Sequence, residues 1–182
     1  MTVGPMHGPG QPAGPRVAPG VFGPMVVRLP TVDDTRAFGA RLGALLRAGD
    51  LVVLSGPLGA GKTALVQGIG AGMDVTGRIA SPTFVLARVH PAALPGAPAL
   101  IHVDAYRLGS LDEVDDLDLD VDLESSVTVV EWGAGMVERL ADAWLTVELA
   151  RPDDAEERLA TLTAHGGDWA LRLAATALDG GN

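Results

Sequence analysis

The run Gly56-Pro57-Leu58-Gly59-Ala60-Gly61-Lys62-Thr63 holds the most readable chemistry in this chain. It matches G-x-x-x-x-G-K-[ST] without a gap, a spacing in which glycines let consecutive backbone N–H groups curl around phosphate oxygens. Lys62 is then expected to reach the β- and γ-phosphates of ATP, and Thr63 to offer its hydroxyl to Mg²⁺. The nucleotide-binding stretch is expected to run on through Ala64. Lys62 is the only lysine among 13 basic side chains, the rest being arginine. A compact ammonium on a flexible stem fits between phosphate oxygens where a planar guanidinium does not.

A loop of this kind needs an acidic residue at the end of a neighbouring strand to hold the magnesium shell and position a water. Asp104 and Glu131 both qualify, because each ends an apolar run (Leu100-Ile101-His102-Val103 and Val127-Thr128-Val129-Val130). At the carboxyl edge of a parallel sheet both would face one crevice. Which is ligand and which is base is a geometric question, and Lys62, Asp104 and Glu131 together are the expected catalytic set. His102, inside an apolar strand, reads as a core histidine and receives no catalytic role. The block Ser81-Pro82-Thr83-Phe84 lies where nucleotide-sensing loops occur, although its composition also suits a plain turn.

The elements that must position these groups follow from the pattern around them. Leu51 to Ser55 is a continuous apolar run of the kind found in strands buried on both faces, and Lys62 to about Gly72 continues as helix. Upstream, Met25 to Leu29 reads as a strand. Thr31 is the N-cap of a helix with Asp34 at the capping-box position, Phe38, Leu42, Leu45 and Leu46 on one face, and a stop near Gly49. Phe84 to Val89, Ala99 to Asp104, Val127 to Glu131, Trp144 to Leu149 and Leu159 to Thr163 read as strands, and Trp169 to Leu178 as a short helix. Strands alternating with helices predict a P-loop NTPase α/β fold, a three-layer sandwich around a mainly parallel sheet.

Residues 1–25 alternate Gly and Pro with almost nothing apolar to bury and read as a disordered tail; residues 26–178 read as a single domain. The 182 residues are 47% hydrophobic and 20% charged, an ordinary soluble composition with enough apolar material for one core. There is neither a run of about 18 apolar residues nor a signal-peptide layout, so a cytoplasmic protein with no membrane contact is expected. The absence of cysteine excludes disulfides and thiolate chemistry. A net charge of −10 opposes unaided nucleic-acid binding. Asp116, Asp118, Asp120 and Asp122 alternate with apolar residues, but no register supplies the glycine that a calcium loop needs at its sixth position. A solvated, partly helical or extended segment over the sheet edge fits better, with a docking surface for a basic partner as the remaining alternative.

Taken together, Gly-x-Leu-Gly-Ala-Gly-Lys-Thr, Ser-Pro-Thr-Phe, His-x-Asp-x-Tyr-Arg and Val-Glu-Trp resemble, in order and spacing, the TsaE (YjeE) family. That family is the small ATPase of bacterial tRNA threonylcarbamoyladenosine (t6A) biosynthesis. The resemblance spans about Leu29 to Gly167. It implies a weak ATPase, stimulated in complex with TsaB- and TsaD-like partners, that is required for threonylcarbamoylation of adenosine 37 in tRNA and reaches the tRNA only through those partners. It also implies Thr63 and Glu131 as magnesium ligands, Asp104 as water-positioning base and Ser81 to Phe84 as a switch loop. Thr83 and Trp132 would then lie near the nucleotide, Thr31 to Thr35 would approach the base, and Arg158 would join the nucleotide contacts. Pro57 departs from the family, where an acidic residue is common.

Two other readings use the same loop. A small-molecule kinase would close an arginine-bearing lid over the phosphates, for which Arg151 and Arg158 are the late candidates. A non-hydrolysing sensor would use both carboxylates only to hold magnesium.

Overall fold

A computed structural model describes residues 23–82, 86–107, 124–135, 137, 140–152 and 156–175. The expectations for the tail before residue 23, for Thr83 and Phe84, for the aspartates of 116–122 and for the helix beyond Ala175 lie outside the described residues.

The chain forms β1 (Met25–Leu29), α1 (Val32–Gly43), β2 (Leu51–Ser55), α2 (Lys62–Gly72), β3 (Ala87–His90), β4 (Leu100–Asp104), a 3₁₀ turn (Ala105–Arg107), β5 (Val127–Glu131), β6 (Trp144–Ala150), β7 (Arg158–His165) and α3 (Trp169–Ala175). The strands make one seven-stranded sheet in the order β1-β7-β6-β2-β5-β4-β3. The pairings β6–β2, β2–β5 and β5–β4 are parallel, whereas β1–β7, β7–β6 and β4–β3 are antiparallel. The sheet is therefore mixed, with a parallel centre and antiparallel flanks. The continuous apolar runs mark the centre, since β2, β4 and β5 are buried nearly throughout, while β6 alternates as a strand open on one face does.

Strand alternation divides the core in two. Val52, Leu54, Leu100, Val127, Val129, Leu145 and Val147 face the side on which Phe38, Leu42, Leu65, Ile69, Trp169 and Leu173 of the three helices pack. Leu51, Val53, Ile101, Val103 and Val130 face the other side, where Val137 and the partly buried Leu140 cover them. The expected three layers are thus, among the described residues, one helical layer, the sheet, and an irregular cover.

Helix α1 begins as its sequence dictates: the Thr31 side chain accepts from the Asp34 N–H and the Asp34 carboxylate accepts from the Thr31 N–H at 2.9 Å. It ends at Gly43 rather than near Gly49. Leu45 and Leu46 donate to the carbonyls of Leu42 and Gly43, three residues back, which tightens the chain into a turn while keeping Leu46 buried. Strand β3 starts at Ala87, after the Phe84 that its sequence indicates. Leu86 has φ +66°, and a left-handed residue there breaks the extended run.

Helices α1 and α2 touch backbone to backbone. A side-chain carbon at Gly39 would meet the Leu65 carbonyl oxygen, one at Gly43 that of Ile69, one at Gly68 that of Arg36, and one at Gly72 that of Ala40. Gly68→Ala is therefore expected to destabilise the fold by about 2 kcal/mol in urea unfolding, although alanine is the better helix former by about 1 kcal/mol. A neutral or stabilising result would mean that the helices do not approach this closely. At the far end, Arg172 binds Asp50 through two hydrogen bonds of 2.7 and 2.8 Å and lies 3.9 Å over the Trp169 ring, pinning α3 to the start of β2.

His90, at the end of β3, is buried. Burial first, then the neighbouring His102 and Arg88, hold its imidazole below the ordinary value, against a hydrogen bond to the Thr76 backbone. As pH falls through about 6.5 the unfolded chain takes up this proton before the folded one does, so stability present above that pH is lost below it. Urea midpoints measured between about pH 7.5 and pH 5.5 should fall, and His90→Asn should flatten that slope. Equal slopes in both proteins would remove His90 as the source.

Candidate functional site

The glycine-rich loop follows β2 and bends through residues that need positive φ, Gly56 at +133° and Gly61 at +102°. A side-chain carbon at Gly56 would run into the Leu149 carbonyl oxygen of β6, so the loop lies against the sheet edge. Gly61 is the N-cap of α2 and brings no capping side chain. The first N–H groups of this 11-residue helix consequently have no side-chain partner and carry the positive end of its dipole.

That helix end opens into a cleft of about 520 Å³ lined by Leu58, Gly59, Gly61, Lys62, Thr63 and Ala64 on one side and by Ser81, Asp104, Tyr106, Glu131 and Trp132 on the other. Asp104 and Glu131 are the last residues of β4 and β5 and stand opposite each other in register. Alternation turns both toward the helical face of the sheet, the side from which α2 approaches. Each is 3% exposed, which for a carboxylate demands partners.

Those partners are present. The Thr63 hydroxyl donates to Glu131 Oε1 at 3.2 Å, and His102 Nε2 lies 2.9 Å from the same oxygen. Asp104 accepts from the Ser81 hydroxyl at 3.1 Å and from the Tyr106 backbone N–H at 3.0 Å. Lys62, buried, donates to the carbonyls of Gly56 at 2.8 Å and Pro57 at 3.0 Å, and its ammonium sits 3.8 Å over the Trp132 ring. Burial holds the Lys62 pKa below the ordinary lysine value, and the Glu131 and Asp104 carboxylates work against that. Trp132 adopts φ +63°, a left-handed conformation that a bulky residue takes only where its surroundings enforce it; its N–H donates to the Leu54 carbonyl and its ring lies 5.3 Å from that of Tyr106.

The expected site residues divide accordingly. Leu58, Gly59, Gly61, Lys62, Thr63, Ala64, Asp104, Glu131 and Trp132 share the cleft. Gly56 and Pro57 act from behind it through the carbonyls that hold Lys62, and Ala60 is fully buried with its N–H donating to Pro57. Thr31 is occupied as the cap of α1 and does not line the cleft. Arg158, the first residue of β7, has its Nε beside Gly61, 3.2 Å from where a Cβ would be; Nε has no hydrogen-bond partner among the described residues, while the guanidinium donates to the Glu156 carbonyl. Arg158 is thus packed against the loop rather than carried on a lid. Sequence reasoning gave Tyr106 no role, read His102 as a core histidine without seeing its contact with Glu131, and missed the direct link from Ser81 to Asp104. For the histidine the signal was its spacing of two from Asp104, which puts both on one face of β4.

Thr63 and Glu131, hydrogen-bonded to each other in the cleft, could offer a metal hydroxyl and carboxylate oxygens, a donor set that suits a hard cation such as Mg²⁺. Among the described residues no group of three or more His, Asp or Glu could hold a metal by itself. Magnesium commonly takes one or two carboxylates and completes its shell with phosphate oxygens and water.

Comparison with known proteins identifies the family. The family model described as "Threonylcarbamoyl adenosine biosynthesis protein TsaE" matches residues 29–160. The tRNA threonylcarbamoyladenosine biosynthesis protein TsaE of Streptomyces coelicolor is 58% identical over 139 residues, 74% of this chain and 93% of that protein. Its namesake in Mycobacterium tuberculosis H37Rv is 54% identical over 153 residues, 81% of this chain and 91% of that protein. The crystal structure of YdiB from Bacillus subtilis superposes with a TM-score of 0.69 at 27% identity, covering 88% of this chain and 97% of YdiB. With a family model across most of the chain, relatives above half identical, and a solved structure of the same fold, this chain belongs to the TsaE family.

Proposed function

We propose that this chain is a Mg²⁺-dependent P-loop ATPase that works as a nucleotide switch in the threonylcarbamoylation of adenosine 37 in tRNA. The observation that carries the reading is Lys62, the single lysine, buried between an uncapped helix N-terminus and two strand-end carboxylates. The α2 amides and Lys62 bind the phosphates of ATP. Thr63 and Glu131 hold Mg²⁺, which when bound neutralises charge on the β- and γ-phosphate oxygens. Asp104, oriented by Ser81 and the Tyr106 N–H, positions a water and takes its proton as oxygen attacks the γ-phosphorus, giving ADP and phosphate.

A switch in a complex also accounts for the charge. At −10 this chain is a poor RNA binder, so TsaB- and TsaD-like partners hold the tRNA in the cytoplasm and this chain reaches it only through them. No helix among the described residues is long and apolar enough to cross a membrane. Of the two arginines that a kinase lid would use, Arg158 is packed against Gly61 instead. Release of inorganic phosphate from Mg·ATP with no added acceptor tests the reading. Stoichiometric phosphorylation of a small hydroxyl compound, with no free phosphate, would overturn it.

A further inference from the structure

Glu131 is held by two groups of unequal constancy. Thr63 lines the cleft and its hydroxyl is the one offered to magnesium, so its 3.2 Å bond to Glu131 is not a fixed restraint. His102 is fully buried on β4, on the same face of the sheet as Glu131, and its 2.9 Å contact with Oε1 is made entirely inside the protein. The hydrogen belongs on Nε2, because the atom facing it is a carboxylate oxygen that can only accept. Nδ1 has no hydrogen-bond partner among the described residues, so a hydrogen placed on Nε2 rather than Nδ1 is the one that finds a partner.

We propose that His102 is a positioning residue for the magnesium site: its Nε2–H ties down Glu131 Oε1 and so fixes the plane of the carboxylate in the cleft. The proposal rests on the Mg·ATP reading given above. A carboxylate at a strand end otherwise turns about its own side-chain bonds, and metal affinity falls when the groups that orient a ligand are lost, commonly by about 10- to 100-fold. The histidine touches neither substrate nor the reacting atoms and acts only through Glu131.

Two amides test this, since Gln carries its N–H the same number of bonds from the backbone as His Nε2, whereas Asn falls short of it. ATP affinity is measured by calorimetry for wild type, His102→Gln and His102→Asn, with EDTA and across a range of Mg²⁺ concentrations, alongside phosphate release. His102→Asn should raise the Mg²⁺ concentration at half-maximal ATP binding by about 10-fold and leave affinity in EDTA unchanged, and His102→Gln should restore most of the loss. Variants indistinguishable from wild type would overturn the proposal, as would a loss in both that Gln relieves no better than Asn, which is the mark of packing alone. Wild-type protein that binds no Mg·ATP would instead remove the parent reading, and the proposal with it.

Discussion

Lys62→Ala is expected to weaken ATP binding by about 100-fold or more, a loss of about 2.7 kcal/mol, while leaving the fold intact. The ammonium is the only lysine charge in the chain and, among the described residues, the only cationic side chain lining the cleft, and the net charge of −10 works against an anionic ligand elsewhere. Without nucleotide it rests on two loop carbonyls and the Trp132 ring, in a site whose burial disfavours the charge. Removing it should therefore leave the thermal midpoint unchanged or slightly raised, so lost binding is not lost folding. Lys62→Arg should fail as a rescue, because a guanidinium fork cannot sit where Nζ meets the Gly56 and Pro57 carbonyls. Near-normal affinity in either variant would mean that the phosphates bind elsewhere.

Asp104→Asn should reduce ATP turnover by about 10²- to 10⁴-fold and change Mg·ATP affinity by no more than a few-fold. Asparagine keeps the shape and still offers an oxygen to the Tyr106 N–H, but it cannot take a proton from water. Unchanged single-turnover hydrolysis would transfer the role of base away from Asp104. A large loss of binding with unchanged turnover at saturation would instead make Asp104 the metal ligand. The same experiment separates an ATPase from a sensor that only holds nucleotide, since a sensor shows no hydrolysis to lose.

Much of this site was legible in the sequence because its signals are local. The loop between Leu54 and Lys62 combines a buried-strand run, turn glycines and a helix start within a dozen residues, and the Thr31–Asp34 box needs only a spacing of three. What the sequence withheld depends on register and on close approach. Nothing local says that Asp104 stands opposite Glu131, or that His102 reaches across to Glu131 from 29 residues away. The glycines of α1 and α2 read as weak helix formers, yet their spacing of four puts Gly39 with Gly43 and Gly68 with Gly72 along one line of contact. The Arg172–Asp50 pair, 122 residues apart, is likewise invisible without the sheet order. Leu86 and Trp132 break local rule outright, since neither residue type favours positive φ.

The most direct test is reconstitution of tRNA threonylcarbamoylation with TsaB- and TsaD-like proteins, each protein omitted in turn, over many turnovers and with ATP supplied. Modified adenosine should accumulate with the wild-type chain, stop when it is left out, and stop equally with Lys62→Ala. Sustained modification without this chain, or at the wild-type rate with Lys62→Ala, would contradict the account.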